Sequence, residues 1–161
     1  MNITRFVSAI AVSLAICSAA HAAIPGSERD ALIAFYESTN GDSWTDSSGW
    51  MGAPGTECSW FGIGCHGAGD TVTSIVLADN ALTGSIPTFL EDLTNLEVLE
   101  LRGNQLEGPI PSELGNLSEL LSLELNGNKL TGSVPPELGN LSKLTRLILE
   151  LNDLSGPLPP E

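Results

Sequence analysis

The C-terminal half of the chain repeats itself every 24 residues. Asn80, Asn104, Asn128 and Asn152 recur in step, and so do Leu82, Leu106, Leu130 and Leu154. Gly84, Gly108, Gly132 and Gly156 keep the same register, as do Pro87, Pro111, Pro135 and Pro159. The apolar pairs ahead of each asparagine, Ile75/Leu77, Leu99/Leu101, Leu123/Leu125 and Leu147/Leu149, repeat with them. A period of this length marks one supersecondary unit per repeat, too small to bury its own leucines. Stacked units bury each other's, and the expected product is a quasi-one-dimensional coil.

Each recurring residue has a mechanical role. The Leu-x-Leu alternation predicts a short strand with one face buried. The asparagine after it offers donors and acceptors to backbone groups that would otherwise be buried unpaired, so Asn80, Asn104, Asn128 and Asn152 form a structural ladder rather than a ligand site. The glycine opens a backbone conformation closed to other residues, and the proline three positions later stops any ladder from continuing through it. Segments such as Pro111 to Leu117 then return along the outer side, with Leu114 and Leu117 at helical spacing.

Leu96, Leu99, Leu101, Asn104, Leu106, Gly108, Ile110 and Pro111 together resemble the plant-type class of leucine-rich repeat. The preceding stretch is similar to that class's N-terminal cap: Arg29 to Tyr36, the tryptophans Trp44 and Trp50, and the run Cys58 to Cys65. The Asn40 to Trp44 segment looks more like secreted bacterial and algal members than receptor kinases. The resemblance implies an α/β leucine-rich-repeat solenoid, a right-handed coil with a concave parallel sheet and a helical N-terminal cap. It also implies recognition roles like those of receptor ectodomains and polygalacturonase inhibitors. The expected division is a leader over 1–22, a cap over 23–70 and repeats over 71–161, with coils at 71–95, 96–119, 120–143 and an incomplete 144–161.

A helix start is expected near Ser27, with Ala31, Leu32, Phe35 and Tyr36 forming a stripe that covers the first coil's apolar edge. Trp44, Trp50, Trp60 and Phe61 are expected in the core of the cap, with an aromatic sugar platform as the alternative. Asn40, Asp42 and Asp46 lack the glycine and terminal glutamate of a calcium loop, so no metal is expected there.

The first residues read as a targeting segment. Arg5 precedes an apolar run of eleven residues, Val7 to Cys17, which is too short to span a bilayer, and Ala20-His21-Ala22 supplies a small-x-small cleavage pattern. A secreted or periplasmic protein is expected, with no membrane span. Two cysteines remain after cleavage, Cys58 and Cys65, and an oxidising compartment favours a disulfide between them over a zinc site with His66.

The chain carries 20 acidic and 6 basic residues, a net charge of −14. Loss of Arg5 with the leader takes it to −15. No cluster of Lys or Arg offers a footprint for phosphates, so nucleic acid is not an expected partner. No nucleophile elbow, zinc helix, phosphate loop or ordered Ser/His/Asp set is present, and no enzyme activity or cofactor is expected. Asn116 and Asn140 each begin a glycosylation sequon, but both also arise from the repeat itself.

Side chains between the strand leucines face out of the concave sheet. They include Val98, Glu100, Arg102, Ser122, Glu124, Asn126, Arg146, Ile148 and Glu150, the candidate ligand-binding set. A protein or peptide is the expected ligand because no outward position on this face is aromatic, as a sugar platform requires. A glycan or a wall-degrading enzyme is the alternative. Because the fourth repeat stops at Pro160-Glu161, a truncated product or end-to-end self-association is also expected.

Overall fold

The computed structural model describes residues 23–67 and 69–157; the targeting segment expected over 1–22 and the repeat proline Pro159 lie outside them. The cap begins with α1 (Gly26–Ser38) and continues through two 3-10 turns to β1 (Ile63–Cys65). The repeats then place β2 (Val72–Val76), β4 (Val98–Glu100), β6 (Ser122–Glu124) and β8 (Arg146–Ile148) in one sheet. These four strands are parallel and in register coil to coil, while β1 closes the cap edge antiparallel to β2.

A second sheet, not anticipated from the sequence, follows each asparagine. It pairs β3 (Thr83–Gly84), β5 (Gln105–Pro109), β7 (Lys129–Gly132) and β9 (Asp153–Leu154) in parallel. Its strands end ahead of Pro87, Pro111 and Pro135, which have no N–H to donate. Gly84, Gly108, Gly132 and Gly156 all take φ between 76° and 84°, which an L side chain resists. The return segments are single 3-10 turns, Thr88–Asp92, Ser112–Asn116 and Pro136–Asn140, and they bury Leu90, Leu114 and Leu138.

Every leucine of the second and third coils that faces between the layers is buried, including Leu99, Leu101, Leu106, Leu123, Leu125 and Leu130. Leu147, in the outermost described coil, is 45% exposed. Asparagine side chains tie the coils together. Asn104 Oδ1 accepts the N–H groups of Asn80 and Leu82, both at 3.0 Å, and its Nδ2 donates to the carbonyls of Leu77 and Leu101. Asn128 and Asn152 repeat part of the pattern one and two coils on, accepting the N–H groups of Leu106 and Leu130 and donating to the carbonyls of Leu101 and Leu125. Asn80 instead reaches into the cap, where it exchanges hydrogen bonds with the backbone of Asp46.

The cap is held by one apolar and two polar clusters. Helix α1 buries Ala31, Leu32 and Phe35, and Tyr36 stacks on Trp50. Trp44, Trp50 and Trp60 are buried in a chain of ring contacts 4.9–5.0 Å apart. Glu28 is buried and accepts hydrogen bonds from Thr71 Oγ1 and the Val72 N–H, which pins α1 to the start of β2. Arg29 pairs with the buried Glu57, lies 5.3 Å over the Trp60 ring, and donates to the Gly52 carbonyl.

Two details of the cap differ from expectation. The helix starts at Gly26, with Pro25 in the N-cap position and no side-chain cap; the Glu28 carboxylate is spent on Thr71 and Val72. Phe61 is 41% exposed rather than core. Its carbonyl receives the Trp50 indole and its N–H donates to Ser48 O. Gly62, at φ +77°, then turns the chain into β1, so the backbone at Phe61 is anchored inward and the ring is left outside. Cys58 and Cys65 form the expected disulfide.

Candidate functional site

The outward rows of the first sheet run straight across the coils. Ser74, Val98, Ser122 and Arg146 stand side by side, and Val76, Glu100, Glu124 and Ile148 form the next row. Backbone hydrogen bonds carry the ladder further, from Asp79 N–H to Arg102 O, Gly103 N–H to Asn126 O and Gly127 N–H to Glu150 O. Those bonds align a third row, Ala78, Arg102, Asn126 and Glu150. Their leucine neighbours Leu99 and Leu123 are fully buried, so alternation leaves the row residues on the open side. At roughly 4.8 Å between strands the face is only ~15 Å across.

The structure brings the charged candidates into contact. Arg102 donates to Glu100 at 2.8 Å and reaches Asp79 on the preceding coil at 3.1 Å. Arg146 meets Glu124 across the coil boundary at 2.6 Å. The hydrogen bond donated to Glu100, and then the Glu100 charge, hold the Arg102 guanidinium above its ordinary range, with the Asp79 and Glu124 charges adding to the effect. Glu150 has no ion pair among the described residues. Asn126 lies between these pairs, and its side-chain oxygen is buried without a hydrogen-bond donor among the described residues. Val98, Ser122 and Ile148 are half-buried floor between the charges.

Asp79 is the partner the candidate set omits. It occupies the turn row that also holds Gly103, Gly127 and Leu151, all with φ between 53° and 68°. A side chain on Gly103 would run into the Asp79 carboxylate, so glycine there leaves room for the Asp79–Arg102 pair. The sequence signal for Asp79 was its departure from glycine in a repeated position.

The sequon asparagines lie elsewhere. Asn116 and Asn140 end the 3-10 turns on the return side and are exposed, with Asn116 Nδ2 donating to Glu91. The described residues contain no grouping of three or more His, Cys, Asp or Glu placed to hold a metal ion. No described helix is long and apolar enough to cross a membrane.

Residues 25–66 match the leucine rich repeat N-terminal domain model, and residues 70–130 match the leucine rich repeat model. Among solved structures, the BIR3–SERK2 complex from Arabidopsis thaliana contains a similar chain, 32% identical, with a TM-score of 0.68. That likeness covers 80% of this chain and 71% of that one. The ectodomain of the receptor kinase SOBIR1 from Arabidopsis thaliana is 26% identical with a TM-score of 0.70, over 84% of this chain and 72% of that one. The PEPR1–AtPEP1 structure is 29% identical with a TM-score of 0.75 over 84% of this chain, which spans 19% of the length of that one.

Proposed function

The chain belongs to the leucine-rich-repeat family, and from that premise we propose that it is an extracellular binding module whose concave face takes a peptide or protein segment. The observation that carries the reading is the contrast between rows. Inward positions repeat Leu or Ile coil after coil, whereas the outward rows mix residue types, with Ser, Val and Arg in one and Val, Glu and Ile in the next, and gather Asp79, Glu100, Glu124, Glu150, Arg102 and Arg146 on one open surface. Packing explains the first set and leaves the second unexplained.

Paired carboxylates and guanidinium groups suit a ligand that carries its own donors and acceptors. Asn126 adds a buried acceptor at their centre, and a backbone or side-chain N–H of the ligand would satisfy it. The face is small against a standard interface of ~20–30 residues a side, so the ligand is a short segment rather than a wrapped domain. The similar structures agree in kind: one is the BIR3–SERK2 complex, and another holds PEPR1 with AtPEP1. The Cys58–Cys65 disulfide supports an oxidising, extracytoplasmic setting for the chain. Binding rather than catalysis is supported by the openness of the face, since its carboxylates stand on a sheet surface beside arginines and not in an enclosed cleft.

The test is a peptide-display selection on the purified protein, followed by titration of the selected peptide. Glu100→Lys with Glu124→Lys is expected to abolish binding, while Glu107→Lys on the second sheet leaves it intact. Binding lost with Glu107→Lys and unchanged by the concave pair would overturn the placement. Retention of polysaccharide on an array, with no peptide selected, would overturn the ligand class.

A further inference from the structure

The three described return turns are built alike, but one carries a residue that the repeat does not explain. The position after Thr88, Ser112 and Pro136 is Phe89 in the first coil and glutamate, Glu113 and Glu137, in the next two. Phe89 is 59% exposed, so burial gives little reason for a phenyl ring there. It lies against α1 at a cleft of about 210 Å³ lined by Asp30, Ala31, Ala34, Phe89 and Asp92. The two aspartates are exposed, and neither has an ion-pair partner among the described residues. An aromatic face beside two unpaired carboxylates, with an alanine floor, has the chemistry of a receptor for one long cationic side chain.

We infer that this cleft, on the return side and away from the concave sheet, is a second binding site that holds an Arg or Lys side chain of a protein partner. The aliphatic stem lies along α1 at Ala34, and the cation sits over the Phe89 ring within reach of Asp30 and Asp92. Charge complementarity selects the occupant: the aspartates repel an acidic group and leave a neutral apolar one beside two desolvated charges. A glutamate at position 89, as in the next two coils, would supply charge but no ring face and no apolar wall.

A tetra-arginine peptide serves as the probe, with its citrulline counterpart as the uncharged control. Amide shifts in the intact protein are expected to move at Ala31, Ala34 and Phe89 with arginine and not with citrulline. Phe89→Glu adds negative charge to an already acidic protein, so attraction by net charge alone predicts equal or tighter binding in that variant. The cleft predicts the reverse, roughly fivefold weaker binding. Asp30→Asn with Asp92→Asn is expected to weaken it as well, while Glu100→Lys with Glu124→Lys leaves the shifts at Ala31 and Ala34 in place. Equal or tighter binding by Phe89→Glu, or shifts confined to the concave strands, overturns the proposal. The shift map of the unaltered protein decides the matter even if a variant fails to fold.

Discussion

Replacing Asn104 with alanine tests the solenoid's internal wiring, and the structure supplies the magnitude. The residue is 7% exposed and its side chain serves five backbone groups, of which the Arg102 carbonyl also accepts the Asp79 N–H. Leu101 O would keep a donor, because Asn128 Nδ2 also reaches it at 3.0 Å. The N–H groups of Asn80 and Leu82 and the carbonyl of Leu77 would lose theirs. Each buried orphan costs ~1–3 kcal/mol, so the three together predict a loss of at least ~3 kcal/mol. The same change at Asn152 is far milder. That side chain is partly exposed and holds the Leu130 N–H; Leu125 O keeps Asn128 as a second donor, and the side chain's other acceptors, the Leu149 and Glu150 carbonyls, are partly buried and exposed and so open to water. Asn152→Ala should therefore cost only ~1–2 kcal/mol. Urea unfolding followed by circular dichroism measures both, with hydrogen exchange at the Leu82 amide as a local readout. If Asn104→Ala costs under about 1 kcal/mol, or no more than Asn152→Ala, then water replaces the amide and the orphan argument is refuted.

Three further outcomes are expected. Leu151 sits at φ 57° and is 78% exposed, in a turn row where other coils use Gly103 and Gly127; Leu151→Asn should raise stability by ~1 kcal/mol in the same unfolding assay, and a loss would mean that its apolar contacts outweigh the strain. Mass spectrometry of the non-reduced protein should find no free thiol at Cys58 or Cys65, and reduction should lower stability by roughly 2–3 kcal/mol; an unchanged melting temperature would make the bond dispensable. The hydrogen bond from Tyr36 to Asp42 at 2.8 Å raises the phenol above its ordinary value of 10.0. The folded state thus holds this proton more tightly, and the associated stability is present below the unfolded value and is lost as pH rises through the folded one. Ultraviolet titration should show the shift reduced in Asp42→Ala, with burial of the ring supplying what remains.

What the sequence disclosed and what it hid divide along a physical line. The strand leucines, the asparagine ladder and the left-handed glycines are set by backbone demands that recur every 24 residues, so one chain supplies four readings of each. The second sheet escaped notice because its strands are two to five residues long and interrupted by glycine and proline, which leaves no alternation to read. Contacts across the cap carry no period at all. Glu28 finds Thr71 and Val72 some 43 and 44 residues away, and Arg29 finds Glu57 at a separation of 28. Phe61 was placed in the core by its chemical type, and only the conformation of Gly62 reveals that the ring stays outside.

The turn row sharpens the same point. Asp79, Gly103, Gly127 and Leu151 share one left-handed conformation although only two of them are glycine. Glycine fills that conformation without strain, so a non-glycine there asks for a reason beyond the backbone. Asp79 has one: its carboxylate takes Arg102, which also binds Glu100, and so joins two coils on the concave face. Leu151 shows no comparable partner and is mostly exposed. Phe89 poses the same question on the return side, where the turn tolerates glutamate in the next two coils. In a repeat protein the backbone's needs are met identically in every coil, so a residue that departs from its row without gaining burial is where selection acts on something other than folding.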